Sequence, residues 1–366
     1  MRVRQLVTVV ALMAPLVVTA TEDIVLPPGF TIEEYADVPN ARSLALGERG
    51  TVFVANRKGR SVYAVVAENG GTRTIRLTNG MNSPNGIAVH DGDLYVAEID
   101  RVTRYDDIED HLDKVPDGKV LDIELPSERH HGWRYIGFGP DGKLYISIGA
   151  PCNVCDEPGY ASIIRMDPDG SDREEYAVGV RNSVGFTWHP ADGAMWFTDN
   201  GRDMMGDDLP PDELNRADRP GLHFGFPQCH AGEILDPRFG EGHDCSDYTA
   251  PQRERGAHVA PLGLMFYTGG QFPEHYRGHL FVAEHGSWNR SKKAGYRVML
   301  VKLKDGEPVS YEPFAEGWLQ NQSVSGRPVD LLQLADGSML VSDDFSGKLY
   351  RISYKTPIIN NTVIYE

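Results

Sequence analysis

One short pattern returns along this chain and limits what it can fold into. In its clearest copy, Tyr135–Gly149, an apolar stretch enters Gly139-Pro140-Asp141-Gly142 and leaves through Leu144-Tyr145-Ile146-Ser147-Ile148. Pro140 presets φ and Gly142 can take positive φ, so the tetrapeptide is a tight turn between two strands. Variants occupy Ser43–Asn56, Gly86–Ile99 and Val184–Asn200. A weaker copy ends in Gly278–Gly286, and a last one spans Val329–Asp344. Further strand-like runs follow some of them, such as Ser61–Val66 and Lys348–Ile352. A period of roughly 40–50 residues, several strands per copy and almost no helix, is the signature of an all-β, six-bladed β-propeller. Each blade buries its faces only against its neighbours, so the ring must close.

The ends of the chain carry a separate signal. Arg2 and Arg4 precede an apolar run, Leu6–Val18, and Val18-Thr19-Ala20 offers small residues for cleavage. This reads as a signal peptide over residues 1–20, leaving 21–366 as a single propeller domain in the periplasm or outside the cell. No other segment is long and apolar enough to cross a membrane, so no span is expected after cleavage. An oxidising compartment makes disulfides plausible for Cys152, Cys155, Cys229 and Cys245. Four cysteines allow three pairings, and adjacency favours Cys152–Cys155 with Cys229–Cys245. Ala217–Pro261, rich in Gly, Pro and His, reads as a loop inserted on one rim.

Charge excludes some partners. The formal net charge is −17, and the Lys and Arg residues do not cluster. That argues against nucleic acid and against anionic membrane surfaces.

In a propeller the inner strands converge on a central channel, so polar residues at the same end of each repeat meet in space. Asn85 precedes the second hairpin, His131 and Arg134 the third, Arg181 and Asn182 the fourth, and Arg327 with Asp330 the sixth. Asn200-Gly201-Arg202-Asp203 ends the fourth hairpin, and the segment from His285 to Arg290 ends the fifth. Loop histidines and arginines can equally be solvated or paired with the many carboxylates. Asp207, Asp208, Asp212 and Glu213 beside Gly201 suit a hard cation held by oxygen ligands. Cys152-Asn153-Val154-Cys155 continues into Asp156, not His, which excludes a haem-attachment motif. No Gly-rich dinucleotide fingerprint and no GxSxG elbow is present.

Several stretches together resemble a known family. HGWR before GFGPDGKLYISIGAPCNVC, with SPNGIAVHDGDLYVAEI, GVRNSVGFTWHP, WFTDNGRDMMGDDLPPDELN and LFVAEHGSWNR, is similar to the sorbosone dehydrogenase family. That family belongs to the soluble quinoprotein sugar dehydrogenases, six-bladed propellers that bind pyrroloquinoline quinone (PQQ) and calcium. The resemblance runs from Leu26 to Ile352 and implies roles residue by residue. His131 falls on the general base, and Arg181 on the arginine that polarises the quinone carbonyl. Asn182 matches a PQQ contact, and Asn85 falls where relatives carry a Gln touching substrate or cofactor; Arg134, in HGWR, is counted with the cofactor-binding set. Gly201 and Arg202 match positions that give backbone carbonyls to Ca²⁺. Arg327 matches the first of two arginines pairing with PQQ carboxylates, and Arg290 or Lys292 stands for the PQQ-binding lysine. The chain departs from the pattern at Arg327-Pro328-Val329-Asp330, where Val329 replaces the second arginine. A lost charged hydrogen bond of that kind is worth about 1.5–3 kcal/mol.

The resemblance implies a dehydrogenase acting on a small sugar, with electrons leaving to a separate acceptor. A second reading on the same ring is a calcium-dependent lactonase-like hydrolase using Glu98, Asn182 and Asp199 as ligands. A third is a non-enzymatic propeller that binds a ligand on the inserted loop.

Overall fold

The computed structural model describes residue 21, residues 23–68 and residues 70–355. The leader read over residues 1–20 lies outside them. Among the described residues no helix is long and apolar enough to cross a membrane.

Each predicted hairpin forms the inner part of a four-stranded antiparallel blade. The first blade is Leu44–Leu46, Val52–Asn56, Ser61–Glu68 and Gly71–Arg76; the second is Gly86–His90, Asp93–Ala97, Val102–Tyr105 and Lys119–Val120. Ile136–Phe138, Leu144–Ile148, Ser162–Met166 and Glu174–Val178 build the third, to which Leu222–His223 adds in parallel. The fourth is Phe186–Trp188, Met195–Asp199, Pro211–Ala217 and Arg253–Ala257. Pro261–Phe266, Leu280–Glu284, Arg297–Lys304 and Glu307–Ala315 form the fifth. The sixth takes Pro328–Gln333, Met339–Asp343 and Lys348–Tyr354 from the C-terminal end and Phe30–Asp37 from the N-terminal end. Joining the two ends in one sheet is what closes the ring.

The second strand of each blade is covered on both faces by neighbouring blades. Val52–Asn56, Leu144–Ile148, Met195–Asp199, Leu280–Glu284 and Met339–Asp343 are accordingly buried at every position. Burial on both faces explains why these strands read as near-continuous apolar runs. The core is divided in the same way. Six apolar clusters each join two consecutive blades, the last joining sixth to first through Leu340, Leu349, Leu44 and Val52.

Both disulfides form as adjacency favoured, Cys152–Cys155 and Cys229–Cys245. The stretch read as an inserted loop at Ala217–Pro261 is not loop throughout. Its last part, Arg253–Ala257, is the outermost strand of the fourth blade, because Pro211–Ala217 would otherwise be left as an unpaired edge. Between them lie the short hairpin Cys229–His230/Ile234–Leu235 and the Cys229–Cys245 link.

Candidate active site

At one end of the channel the chain segments entering the inner strands surround a cavity of about 380 Å³. His131, Arg181, Asn182, Gly201 and Arg327 line it, joined by Asn200, Asp203, Asp212 and His285, so residues singled out at four separate repeat ends meet there.

His131 sits in the turn before the third blade with φ of 47°, a left-handed conformation that a non-glycine residue adopts only when its surroundings impose it. Gly149 makes room for the turn, since a Cβ there would lie 2.6 Å from the His131 Cβ. His131 Nδ1 lies 2.8 Å from the Ala150 carbonyl. A carbonyl can only accept, so Nδ1 carries the proton and Nε2 keeps its lone pair. Burial, then the positive charges of Arg181 and His130, push the imidazole pKa down to about 2. The ring is therefore neutral at any working pH, with a free lone pair beside the cavity.

Arg181 is buried and held on several sides. Its Nε donates to the Asn153 carbonyl at 2.9 Å, Nη1 to the Asn200 carbonyl at 3.0 Å, and Nη2 to Asn153 Oδ1 at 3.0 Å. Asp203 Oδ2 is 3.3 Å from Nη2. The backbone beneath is fixed too, since Asp199 accepts the amides of Arg181 and Asn182 at 2.7 and 2.6 Å. Asp212 braces the next segment by accepting the amides of Gly201 and Ala260 at 2.8 and 2.9 Å. Burial raises its pKa to about 6.

The opposite wall is a chain of charges. Arg42 donates to Asn85 Oδ1 and to Asp344 at 2.7 Å each; Asp344 also faces His285 Nε2 at 2.9 Å, and Arg327 Nη2 meets His285 Nδ1 at 2.9 Å. An arginine can only donate, so His285 is neutral with its proton on Nε2, directed at Asp344. Burial first, against the pull of Asp344, lowers the His285 pKa to about 4. Burial works against ionisation of Asp344, but His285 and Arg42 outweigh it and hold that carboxyl well below its usual range.

Arg57 differs from the other three arginines. Its guanidinium lies 4.4 Å from the centroid of the Trp133 ring, and among the described residues no carboxylate or hydrogen-bond acceptor pairs with it. Burial first, then Arg42 and Arg327, lower its pKa to about 9 against the more distant pull of Asp344. A half-buried cation without an internal partner is costly unless an anion arrives from outside. Val329 packs with Val184 and Leu262 in an apolar patch against Trp133. The cavity thus combines an apolar floor, an aromatic ring and the cations Arg42, Arg57, Arg181 and Arg327 inside a protein of net charge −17. Such a site suits a flat polyanion.

Other expectations fall elsewhere. Asn85 does not line the cavity; it is fully buried beneath it, spent on Arg42, Ser43 and the Arg134 carbonyl. Arg134 is likewise turned away, donating to the carbonyls of Ile99 and Pro126. Arg202 directs its guanidinium to Asp236, so only its backbone is available to the cavity side. Arg290 braces the rim through Asp207 and Asp208, and Lys292 is exposed. Glu98 accepts the Asn82 amide and Asp199 accepts the two amides already described, and neither lines the cavity. Arg42, Arg57 and Trp133 went unnoticed in the sequence. Arg42 nonetheless precedes the first inner strand as Arg181 and Arg327 precede theirs, and Arg57 follows a hairpin as Asn200 does.

The fold and cavity define a six-bladed propeller with a cationic, histidine-bearing cavity at one end of its channel. The chain belongs to the TrAA12-like family, whose model matches residues 24–355. This bears out the sugar-dehydrogenase resemblance read from HGWR, GVRNSVG and the DNGRD stretch. The chain is 32% identical to a Borreliella burgdorferi protein, covering 96% of this chain and 97% of that one. Among solved structures, the calcium structure of the Trichoderma reesei carbohydrate-active enzyme of family AA12 superposes with a TM-score of 0.79 at 19% identity. That match covers 91% of this chain and 97% of that one. The holo form of the pyranose dehydrogenase PQQ domain from Coprinopsis cinerea gives 0.77 at 20% identity, covering 90% and 97%.

Proposed function

We propose that this protein is a PQQ- and Ca²⁺-dependent dehydrogenase that oxidises a sugar, an aldose or a sorbosone-like compound, and delivers the electrons to a separate acceptor. The observation that carries the proposal is the pairing of a base and an anion site. His131 presents an unprotonated Nε2 to a cavity whose partnerless cation, Arg57, lies on an aromatic ring. PQQ is planar and carries three carboxylates, which suits Arg57, Arg327 and Arg42 on one wall and Trp133 beside them. Arg57 offers the positive charge that Val329 does not. The backbone carbonyls of Gly201 and Arg202 would hold Ca²⁺, on a segment that Asp212 fixes.

When bound, PQQ supplies the two-electron acceptor that takes the hydride from the sugar carbon. The protein's part is to take the hydroxyl proton on His131 Nε2 and to hold that lone pair in place through Ala150. Arg181 keeps its positive charge where negative charge grows during transfer, and its fixed partners spare any reorganisation at that moment. Residues 1–20 would take the protein to the periplasm or out of the cell. The PQQ- and calcium-bearing relatives support this reading.

The test is a titration of metal-stripped protein with PQQ and Ca²⁺, followed by an aldose panel with an artificial acceptor. Stoichiometric binding and sugar-dependent bleaching are expected. His131→Gln should bind PQQ as the parent does and lose about 10²–10⁴-fold in kcat. Unchanged turnover in that variant would remove His131 as the base.

A further inference from the structure

The Cys152–Cys155 loop has no part in the chemistry above. The cross-link closes a loop with only Asn153 and Val154 between its sulfurs, and Asn153 faces inward. Its backbone carbonyl and its Oδ1 accept from Arg181 Nε and Nη2 at 2.9 and 3.0 Å. These two donors form the edge of a guanidinium that a carboxylate grips with both oxygens. Here the grip is uncharged, so Asn153 sets the plane of the guanidinium without adding to the single carboxylate, Asp203, that already faces Nη2. The same side chain reaches the neighbouring loop. Asn153 Oδ1 accepts the Asp203 amide at 2.8 Å, and Nδ2 donates to the Asp203 carbonyl at 3.1 Å. The two contacts with Asp203 also fix which end of the amide is oxygen.

We infer that Asn153, held by the Cys152–Cys155 cross-link, is a positioning residue that sets the Arg181 guanidinium and the Gly201–Asp203 backbone as one unit. Its geometry stands alone; its consequence for turnover rests on the proposed function. A bare loop cap would need neither the fork on Arg181 nor the double contact with Asp203.

The experiment compares Asn153→Ala and Asn153→Asp with the parent, all as full chains. In the ligand-free proteins, amide hydrogen exchange in the peptide containing Asp203 should rise about tenfold or more in Asn153→Ala, with Tm nearly unchanged. With PQQ and Ca²⁺ bound, kcat of that variant should fall about 10- to 100-fold with little change in KM, as expected for a misplaced transition-state group. Asn153→Asp keeps the fork on Arg181 and the acceptor for the Asp203 amide but loses the donor to the Asp203 carbonyl, so its exchange should rise less than that of Asn153→Ala. Its added negative charge should weaken PQQ binding about tenfold, read by absorbance titration. Parental exchange and parental kcat in Asn153→Ala would overturn the inference. Should Asn153→Ala fail to fold, parental exchange in the Asp203 peptide of Asn153→Ser, which cannot make the double contact, would overturn it instead. A parent that binds no PQQ would overturn the proposed function and the turnover consequence, while the exchange result would still decide the positioning role.

Discussion

Arg57 is the residue whose environment most needs a ligand. It stacks on Trp133 near Arg42 and Arg327; Asp344 acts on it only from a distance, and no carboxylate among the described residues pairs with it. Removing it should therefore act oppositely on binding and on stability. Arg57→Ala is expected to weaken PQQ binding by about 10- to 100-fold, the worth of one charged hydrogen bond. Its unfolding temperature without ligand should be unchanged or raised, because an unpaired buried cation is relieved. Absorbance titration and thermal unfolding read the two effects separately. Legibility at this scale was uneven. His131 and Arg181 could be found because they sit in distinctive local strings, HGWR and GVRN. Arg57 follows an ordinary hairpin, and its significance depends on Trp133, far along the chain.

At the scale of elements, the strand ends of neighbouring blades are joined by charge. His285 leaves the fifth blade, Asp344 the sixth, and Arg42 enters the first, so one carboxylate ties three blades together. The sign of the pH effect follows from His285. Its folded pKa, about 4, lies below the ordinary value of about 6.5, so the unfolded chain takes up the proton first. The stability it contributes is fully present above pH of about 6.5 and is lost as pH falls towards 4. Melting curves across that window should show Tm declining with acid, and His285→Gln should flatten the decline; an equal slope in the variant would exclude His285 as its source. The rim insert is a different kind of element, tied by Cys229–Cys245 across a separation of 16 residues. Replacing both cysteines by serine is expected to lower stability by about 3 kcal/mol in denaturant titrations. The alternation of apolar residues located the hairpins but not the outer strand Arg253–Ala257. Edge strands are short and half-solvated, so little pattern is imposed on them.

For the whole molecule, stability depends on closure. Phe30, at the start of the N-terminal strand, is ringed edge-on by Phe272, Tyr276, Phe314 and Tyr354 at centroid distances of 4.8 to 5.2 Å. These partners come from the fifth and sixth blades, so the ring anchors the strand that completes the sheet. Phe30→Ala should cost about 3–5 kcal/mol. Because closure is cooperative, a single unfolding transition should shift as a whole. A separate early transition would show instead that the seam opens independently. The sequence by itself determined the repeat, the blade count, the inner hairpins and the order of motifs along the chain. Each of these is written in local periodicity and turn chemistry. Tertiary structure alone decided which of the aligned polar residues face the cavity. Asn85 and Arg134 hold the same repeat position as Arg181 and Arg327, yet point into backbone carbonyls and Arg42. Partners such as Arg42 and Asp344 lie 302 residues apart. A side chain's direction there is set by whichever donor or acceptor the closed ring brings opposite it, and local sequence does not carry that information.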